Sequence, residues 1–501
     1  MATLSIASIL AESAVRHADR TAVVMGDVRI TYADLWRDAR GYAAALRDRG
    51  IGPGDKVAIL IPNVPDFPKT YYGALALGAV VVPVHALLKA EEIAFVLRDS
   101  GASVLVCHDA LAGEGAKGAE LADVAFASPG DLASAEPVAT YVPRDPGDAA
   151  VILYTSGTTG KPKGAVLSHL NVVMNVIAIV TEVVGLRSDD VILGCLPLFH
   201  SFGQVCAMNA GFRAGAALVL MPRFDGAAAL DALETYGVTV FEGVPTMYIA
   251  LLDATRDDPR RPALRIAVSG GASLPMAVMD RWRETFGSEI YEGYGLSETS
   301  PVATFNQAAI GRKPGTVGVP IWGVDVLIAK AEVEDRIEPV PTGEIGEVVI
   351  RGHNIFTGYL NNPDATNAAI VDGWFRSGDL GTMDEDGFVS IVDRKKDMVL
   401  RGGYNVYPRD VEEVLLRHPA IAQVAVIALP DDVHGEEVCA VVVAAPDTSP
   451  TADEIVAWSK EQIAAYKYPR VVHFVDAFPL GPSGKVLKRE LVARFASAVE
   501  G

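Results

Sequence analysis

The sequence predicts an α/β protein, with a large N-terminal domain of layered α/β sheets, a β-rich lobe and a small α+β C-terminal domain. Three observations lead to this prediction. Short apolar runs alternate with helical patterns in the first half, short strands with turns follow Gly311, and a separate group of elements follows Lys396. Strands that alternate with helices are typical of parallel sheets covered by helices on both faces.

The first domain is predicted for residues 1–395 and begins with a regular series of elements. Residues 33–46 have the spacing of an amphipathic helix. Apolar runs predict buried strands at residues 56–60, 79–82, 103–106, 190–193, 217–220, 238–241 and 264–269. Residues 109–148 are rich in Ala, Gly, Asp and Pro, and predict an exposed connection of lower order.

The later part of the chain has a different pattern. Short strands such as residues 346–350 predict the β-rich lobe. The second domain, residues 396–501, is predicted as a small α+β unit. Its helices are expected at residues 411–416 and 453–465, and its strands at residues 424–429 and 439–443.

Composition narrows the class of protein. A chain of 501 residues, half of them hydrophobic, can bury more than one core. The net charge of −20 argues against general nucleic-acid binding, which requires a basic surface. The cysteines contain no CxxC pair, which favours a reducing cytosol over a zinc site or a disulfide framework.

Membrane attachment is not expected from the sequence. The N-terminus lacks a basic segment followed by an apolar core, so we expect no signal peptide and a cytoplasmic location. Residues 71–88 are uncharged and just long enough to span a bilayer. Because Gly78 and Pro83 interrupt them, they predict a buried helix followed by a buried strand rather than a transmembrane segment. Peripheral membrane contact stays open.

A loop rich in hydroxyls, glycines and lysines follows the apolar run 150–153. Residues 154–164 read YTSGTTGKPKG. Hydroxyls and lysines bind phosphate oxygens, and glycines let the backbone approach a ligand. The loop is not a Walker motif, because two residues separate Gly157 from Gly160 and Pro162 follows Lys161. A plain surface turn is the alternative, but eleven consecutive residues of this chemistry favour a polyphosphate site.

The loop and five later segments resemble the motifs of the adenylate-forming superfamily of acyl-CoA synthetases, nonribosomal adenylation domains and luciferases. They follow one another along the chain in the order that this superfamily has. The segments are LPLFHS (196–201), YEGYGLSET (291–299), RSGD (376–379), DRKKD (393–397) and PSGK (482–485). The resemblance implies that ATP and Mg²⁺ activate a carboxylic acid as its adenylate, with release of pyrophosphate. A thiol then takes the acyl group, and the C-terminal domain is mobile.

The resemblance implies four catalytic residues. Lys485 bridges the carboxylate and the α-phosphate, although a lysine in such a turn is otherwise a solvated surface charge. Glu298 ligates Mg²⁺ and Thr299 binds the α-phosphate, whereas an isolated Ser-Glu-Thr would be a helix cap. His200 is a gate beside the acyl pocket that positions the substrate and transfers no proton.

The resemblance also implies an ATP site and a hinge. ATP-binding residues are Thr155, Ser156, Gly157, Thr158, Thr159, Lys163, Gly270, Gly271, Ala272, Tyr294, Asp379 and Arg394. The Gly270–Ala272 turn and Tyr294 form the adenine pocket, and Asp379 with Arg394 holds the ribose. Ser-Gly-Asp by itself is an ordinary turn. Lys396 is the hinge about which the C-terminal domain rotates. Gly402 and Gly403 then form the CoA tunnel. Without the resemblance, these segments would be interpreted as a Lys-rich turn followed by a Gly-Gly hairpin.

The acid and the acceptor are less well specified. Segments 241–248, 269–272 and 300–304 are mostly apolar or small, which favours an apolar acyl tail. Medium- or long-chain fatty acids are the first candidate substrates, and cinnamate- or benzoate-type acids are the second. Glu242 is the exception among these residues because it carries a carboxyl group. CoA is the expected acceptor because the chain ends soon after Lys485, with a separate carrier protein as the alternative. A homodimer is left open.

A non-catalytic nucleotide-binding module is the alternative of a different class. Loss of Lys485, Glu298 or Asp379 would favour it, and all three are present.

Overall fold

Two large sheets and the helices between them share the main hydrophobic core of the molecule. This computed structural model describes residues 2–133, 136–155, 162–256, 258–431, 433–481 and 486–496. Numbered in chain order, the helices are α1 (Ala7–Arg16), α2 (Tyr32–Asp48), α3 (Asp66–Ala76), α4 (Ala90–Ser100), α5 (Ala112–Ala122), α6 (His169–Ala178), α7 (Ala210–Ala214), α8 (Gly226–Thr235), α9 (Pro245–Ala254), α10 (Met276–Phe286), α11 (Pro363–Ala369), α12 (Pro408–Leu415), α13 (Ala452–Gln462) and α14 (Lys488–Ala496). Short 3-10 turns cover Asp109–Leu111, Pro129–Leu132 and Ser297–Thr299, and π-helical segments cover Ile179–Val183 and Phe202–Asn209.

The strands are numbered in the same way. Those of the first half are β1 (Thr21–Met25), β2 (Val28–Thr31), β3 (Lys56–Leu60), β4 (Val80–Pro83), β5 (Ala102–Cys107), β6 (Ala125–Ala127), β7 (Ala149–Thr155), β8 (Lys163–Ser168), β9 (Val191–Gly194), β10 (Ala217–Leu220) and β11 (Val240–Gly243). Those of the second half are β12 (Ile266–Ser269), β13 (Ile290–Gly295), β14 (Val302–Phe305), β15 (Val319–Pro320), β16 (Val324–Ala329), β17 (Gly346–Gly352), β18 (Gly358–Tyr359), β19 (Ile370–Val371), β20 (Trp374–Met383), β21 (Val389–Arg394), β22 (Val399–Arg401), β23 (Tyr404–Val406), β24 (Ile421–Asp431), β25 (Gly435–Ala444) and β26 (Val471–Phe474).

The two large sheets are mainly parallel, as the alternation of strands and helices predicts. One has the order β18-β8-β7-β4-β3-β5-β6, and the other has the order β15-β14-β13-β12-β11-β9-β10-β1-β2. In the second sheet, β9 to β13 are parallel neighbours, so their carboxyl ends meet at one edge. Ligands bind at such edges in open α/β sheets.

Two smaller sheets follow, and the predicted fold class is confirmed. The β-rich lobe is an antiparallel sheet of β16, β17, β20, β19 and β21. The last sheet, of β22 to β26, is covered by α12 and α13 on one face and by α14 on the other. Alternate residues of β25 explain this, since Val438 and Ala440 face one layer while Cys439 and Val441 face the other. The division at residues 395 and 396 stays a prediction.

The prediction of an exposed connection of lower order at residues 109–148 is wrong for the first part of that range. That part contains α5 and the edge strand β6, which pairs with β5. Its Ala and Gly content reflects close packing instead of low order. A Cβ at Gly115 would lie 2.5 Å from the Cys107 sulfur, and one at Gly118 would lie 2.6 Å from an Ile93 methyl carbon.

The uncharged segment at residues 71–88 is accounted for by buried structure. It covers most of α3 and all of β4, and the β4 residues are all buried. Within the residues described, the structure has no helix that is both long and apolar enough to cross a membrane. The four cysteines are buried and unpaired, as their spacing predicts.

Candidate active site

A single cleft of about 2170 Å³ brings most of the predicted site residues together. It lies at the carboxyl edge of β11 to β13 and extends to the C-terminal sheet. Its lining includes Thr155, Lys163, His200, Gly270, Gly271, Ala272, Tyr294, Glu298, Asp379, Arg394 and Lys396. Residues 156–161, with Ser156, Gly157, Thr158 and Thr159, and residues 482–485, with Lys485, lie outside the described residues. Gly481 and Val486, which precede and follow residues 482–485 in the chain, line the cleft.

Three of the predicted residues do not belong to the lining. Thr299 is fully buried; its hydroxyl accepts from the Leu296 N–H at 2.8 Å and is also hydrogen-bonded to the Pro301 carbonyl. Its contact with phosphate therefore stays a prediction that requires this turn to change. Gly402 and Gly403 lie outside the lining set, in the turn between β22 and β23. Both have positive φ, 55° and 84°, a conformation that favours glycine.

The predicted ribose residues form one polar cluster. The Tyr294 hydroxyl donates to Asp379 Oδ2 at 2.7 Å, and Arg394 Nε lies 3.5 Å from Asp379 Oδ1. Arg394 is opposite Asp379 because β20 and β21 are antiparallel neighbours in that register. Burial, and then the Asp379 charge, raises the pKa of Tyr294 well above its usual value. Tyr294 is therefore a neutral donor that orients a carboxylate at the cleft.

Glu347 holds the turn that presents Asp379, and sequence reasoning missed it. Its carboxylate forms a buried ion pair with Arg376, with Oε2 at 3.1 Å from Nε. Its other oxygen accepts from the Gly378 N–H at 3.0 Å. The pair spans β17 and β20, so it depends on a sheet pairing that the sequence does not reveal.

Replacing Glu347 with alanine should destabilise the protein and weaken ATP binding. The Arg376 charge would lose its buried partner, and breaking such a pair costs about 3–5 kcal/mol of unfolding free energy. The free Gly378 N–H would also release the Asp379 turn, so the KM for ATP should rise. Urea denaturation and ATP kinetics check this. Asp325→Ala, which removes the exposed Arg351–Asp325 pair, is the control. It should have little effect on the free energy of unfolding or on the KM for ATP.

The predicted adenine pocket has a narrow floor. A Cβ on Gly270 would lie 3.2 Å from a ring carbon of Phe202, and Gly271 has a positive φ of 80°. Glu292, which was not predicted, lies beside this turn: Oε1 accepts from the Leu274 N–H at 3.1 Å, and Oε2 has no partner among the described residues. Burial raises the pKa of Glu292 to about 7.

Glu298 is surrounded by groups suited to a magnesium phosphate. Its Oε1 accepts from the Tyr359 hydroxyl at 2.9 Å and from the Thr155 hydroxyl at 3.4 Å. Lys163 Nζ lies 5.2 Å from the centre of the Tyr359 ring, so a cation is close by. One carboxylate with hydroxyls nearby and room for substrate oxygens fits Mg²⁺, which keeps several non-protein ligands. Tyr359 gave no sequence signal, because it follows Glu298 by 61 residues in an edge strand.

His200 lies just before a π-helical segment, a rare type of helix. It precedes the π-helical segment Phe202–Asn209, and such segments often occur at functional sites. Its Nδ1 accepts from the Phe202 N–H at 3.3 Å. This contact orients the imidazole at the cleft wall, which suits the predicted positioning role.

Glu242 lies in the wall of the same cleft and is fully buried. Neither carboxylate oxygen has a hydrogen-bond partner among the described residues. Burial raises the pKa of Glu242 to about 8. Burial together with the Glu242 charge also raises the pKa of the Cys206 thiol. Burial therefore favours the protonated form of Glu242, and no hydrogen-bond partner offsets it among the described residues.

The buried Glu242 should make the protein less stable as the pH rises. The folded pKa lies above the unfolded value, so the native state holds a proton that the unfolded state has lost. Between pH 5 and pH 8, the free energy of unfolding should fall by on the order of 3 kcal/mol relative to Glu242→Gln. Urea denaturation of both proteins at several pH values checks this, and parallel curves would contradict it.

Contacts between the C-terminal sheet layer and β21 close one side of the cleft. The Arg409 N–H, at the start of α12, donates to Asp393 Oδ2 at 3.0 Å. Lys488 on α14 pairs with Glu412 on α12 at 2.7 Å. The first contact joins α12 to β21, and the second joins α12 to α14. The role of Lys396 as a hinge stays a prediction.

The mainly parallel sheets with a polar cleft at their carboxyl edge are typical of an α/β enzyme, and comparison with known proteins gives its family. Residues 10–360 match the AMP-binding enzyme family, and residues 410–485 match the AMP-binding enzyme C-terminal domain. The chain belongs to this adenylate-forming family. It is, more narrowly, an AMP-forming acid–thiol ligase of the acyl-CoA ligase type.

Individual relatives act on different acids. The chain is 39% identical to a feruloyl-CoA synthase of Amycolatopsis sp, over 95% of this chain and 96% of the relative. It is 34% identical to a long-chain-fatty-acid–CoA ligase of Bacillus subtilis (strain 168), over 97% and 94%. The structure matches a benzoate CoA ligase from Burkholderia xenovorans LB400 with a TM-score of 0.90, at 29% identity over 97% and 99% of the two chains.

Proposed function

We propose that this protein adenylates a carboxylic acid with ATP and Mg²⁺, releases pyrophosphate, and then transfers the acyl group to the thiol of CoA with release of AMP. The observation that carries this proposal is the shared cleft. The small-residue turn Gly270–Ala272, the Asp379 cluster and Glu298 all line it, together with Gly481 and Val486 on either side of residues 482–485.

The adenylation step brings two anions together, so positioning and positive charge should dominate catalysis. ATP would be held by the turn at Gly270, by Asp379 and Arg394 at the ribose, and by Lys163 at the phosphates. Glu298 would hold Mg²⁺, which neutralises phosphate charge. Lys485 would bridge the acid and the α-phosphate. In this arrangement the protein supplies binding and electrostatics and forms no covalent intermediate.

The second step requires a different face of the C-terminal domain. Gly402 and Gly403 lie outside the cleft lining, so they would reach the adenylate only after rotation about Lys396. Backbone without side chains leaves room for a narrow pantetheine arm. Loading of a carrier protein and a homodimeric assembly stay predictions.

The acid has two candidate classes. The relative called feruloyl-CoA synthase and the structural match to a benzoate ligase support an aryl acid. The relatives called long-chain-fatty-acid–CoA ligases support a fatty acid. The cleft lining includes the apolar side chains of Cys206 and Val268, which are compatible with either class of tail.

The test is pyrophosphate release with ATP, Mg²⁺ and a panel of fatty, cinnamic, benzoic, amino and dicarboxylic acids, with and without CoA. We expect acid-dependent pyrophosphate and AMP, and an acyl-CoA product on an apolar or aromatic acid. ADP as the product, or no pyrophosphate with any acid, would contradict the proposal. Release of pyrophosphate without formation of acyl-CoA would indicate that the acyl acceptor is a carrier protein and not CoA.

A further inference from the structure

Glu242 is placed by β11 so that its side chain faces the cleft and not the helices behind the sheet. Its neighbour Phe241 packs against Tyr248 at 5.0 Å and Trp282 at 6.1 Å between ring centres. Successive side chains of a strand point to opposite faces, so Glu242 points the other way. Val268, its register partner on β12, lines the cleft as well.

A carboxyl group in this position is costly unless something pairs with it. Both oxygens are buried without a hydrogen-bond partner in the described part of the chain. Burying an unsatisfied polar group is unfavourable, and more so if the group is charged. The mechanism proposed above does not use Glu242, so its partner is expected in the substrate.

The chemistry of the surroundings selects the kind of partner. The groups near Glu242 include the thiols of Cys195 and Cys206, whose pKa values burial raises, so they stay protonated. Neither oxygen of Glu242 has a partner among the described residues, and burial raises its pKa, which favours a protonated carboxyl that can both donate and accept a hydrogen bond. A hydroxyl complements both functions, whereas a hydrocarbon tail satisfies neither.

We propose that Glu242 recognises a hydroxyl group on the tail of the acid, so that the enzyme prefers hydroxylated acids to their unsubstituted counterparts. This inference rests on the proposed function and narrows its substrate class. Among the two candidates, it favours hydroxyaryl acids over plain fatty acids. A site built to bond a hydroxyl rejects the analogue without it, because its own buried group is then left unpaired.

The test compares pairs of acids that differ by one hydroxyl: cinnamic with 4-hydroxycinnamic acid, and octanoic with 8-hydroxyoctanoic acid. The quantity measured is the ratio of kcat/KM values for pyrophosphate release. In at least one pair, the wild-type enzyme should prefer the hydroxylated acid by about 10–100-fold, the range expected when a buried group is left unpaired. Glu242→Leu should lower that ratio to about 1 or below, and Glu242→Gln, which retains a donor and an acceptor, should keep a preference.

The control is Cys195→Ala, which changes packing next to Glu242 without removing the carboxyl. Cys195 Sγ lies 3.7 Å from the Glu242 carbonyl oxygen. Its selectivity ratio should match that of the wild type. An equal ratio in wild type and Glu242→Leu would overturn the inference while leaving the ligase function intact.

A second readout does not depend on turnover. Difference infrared spectroscopy should detect a protonated carboxyl band that is absent in Glu242→Gln. The band should shift when the hydroxylated acid binds, and not when its counterpart binds. Failure of every acid to release pyrophosphate would refute the proposed function. A missing or unresponsive band would refute the role of Glu242.

Discussion

Lys485→Ala is expected to lower the rate of acid-dependent pyrophosphate release by about 10²–10³-fold, the usual effect of removing one preorganised electrostatic group. The acid and the α-phosphate are both negative, so the barrier rises when the bridging cation is lost. The second half-reaction should survive, because thiol attack on a preformed adenylate no longer needs this charge. The measurement is pyrophosphate release from ATP, beside acyl-CoA formation from a supplied acyl-adenylate.

Lys460→Ala is the matched control for Lys485→Ala. Lys460 is an exposed lysine of α13 in the same part of the chain. Its loss should leave both half-reactions unchanged. Equal loss of both half-reactions in Lys485→Ala would indicate a folding defect, and normal pyrophosphate release would remove Lys485 from the mechanism.

Glu298→Gln is expected to lower pyrophosphate release by about 10²-fold and to shift its Mg²⁺ dependence to higher concentration. The amide keeps the shape of the side chain and an acceptor for Tyr359 and Thr155, but it lacks the charge that a hard cation requires. A Mg²⁺ titration of the initial rate makes the measurement.

Tyr359→Phe separates the charge of Glu298 from its orientation. This change removes the hydroxyl that donates to Glu298 at 2.9 Å and leaves the carboxylate in place. A loss of less than about 10-fold is expected, in the range of one hydrogen bond. If Glu298→Gln left the Mg²⁺ dependence unchanged, the assignment of Glu298 to the metal would be wrong.

Most of the fold was readable from local patterns. The strands β3, β4 and β5 and the helix α2 were predicted nearly to the residue, because apolar runs and amphipathic spacing are local properties. The error at α5 has a local cause as well. Its glycines indicate loop in isolation, and only the close approach of Cys107 and Ile93 explains them.

The class of reaction could be predicted from the sequence alone, because its glycine, hydroxyl, lysine and carboxylate motifs are formed by consecutive residues. The groups that surround those motifs depend on the tertiary fold. Glu347 supports the Asp379 turn, Tyr359 orients Glu298, and Glu242 faces the cleft without a hydrogen-bond partner in the described part of the chain. These contacts depend on strand pairing and on which face of a strand is turned inward. A shift of one residue reverses that face, so residues distant in the chain become neighbours only after the sheets have formed.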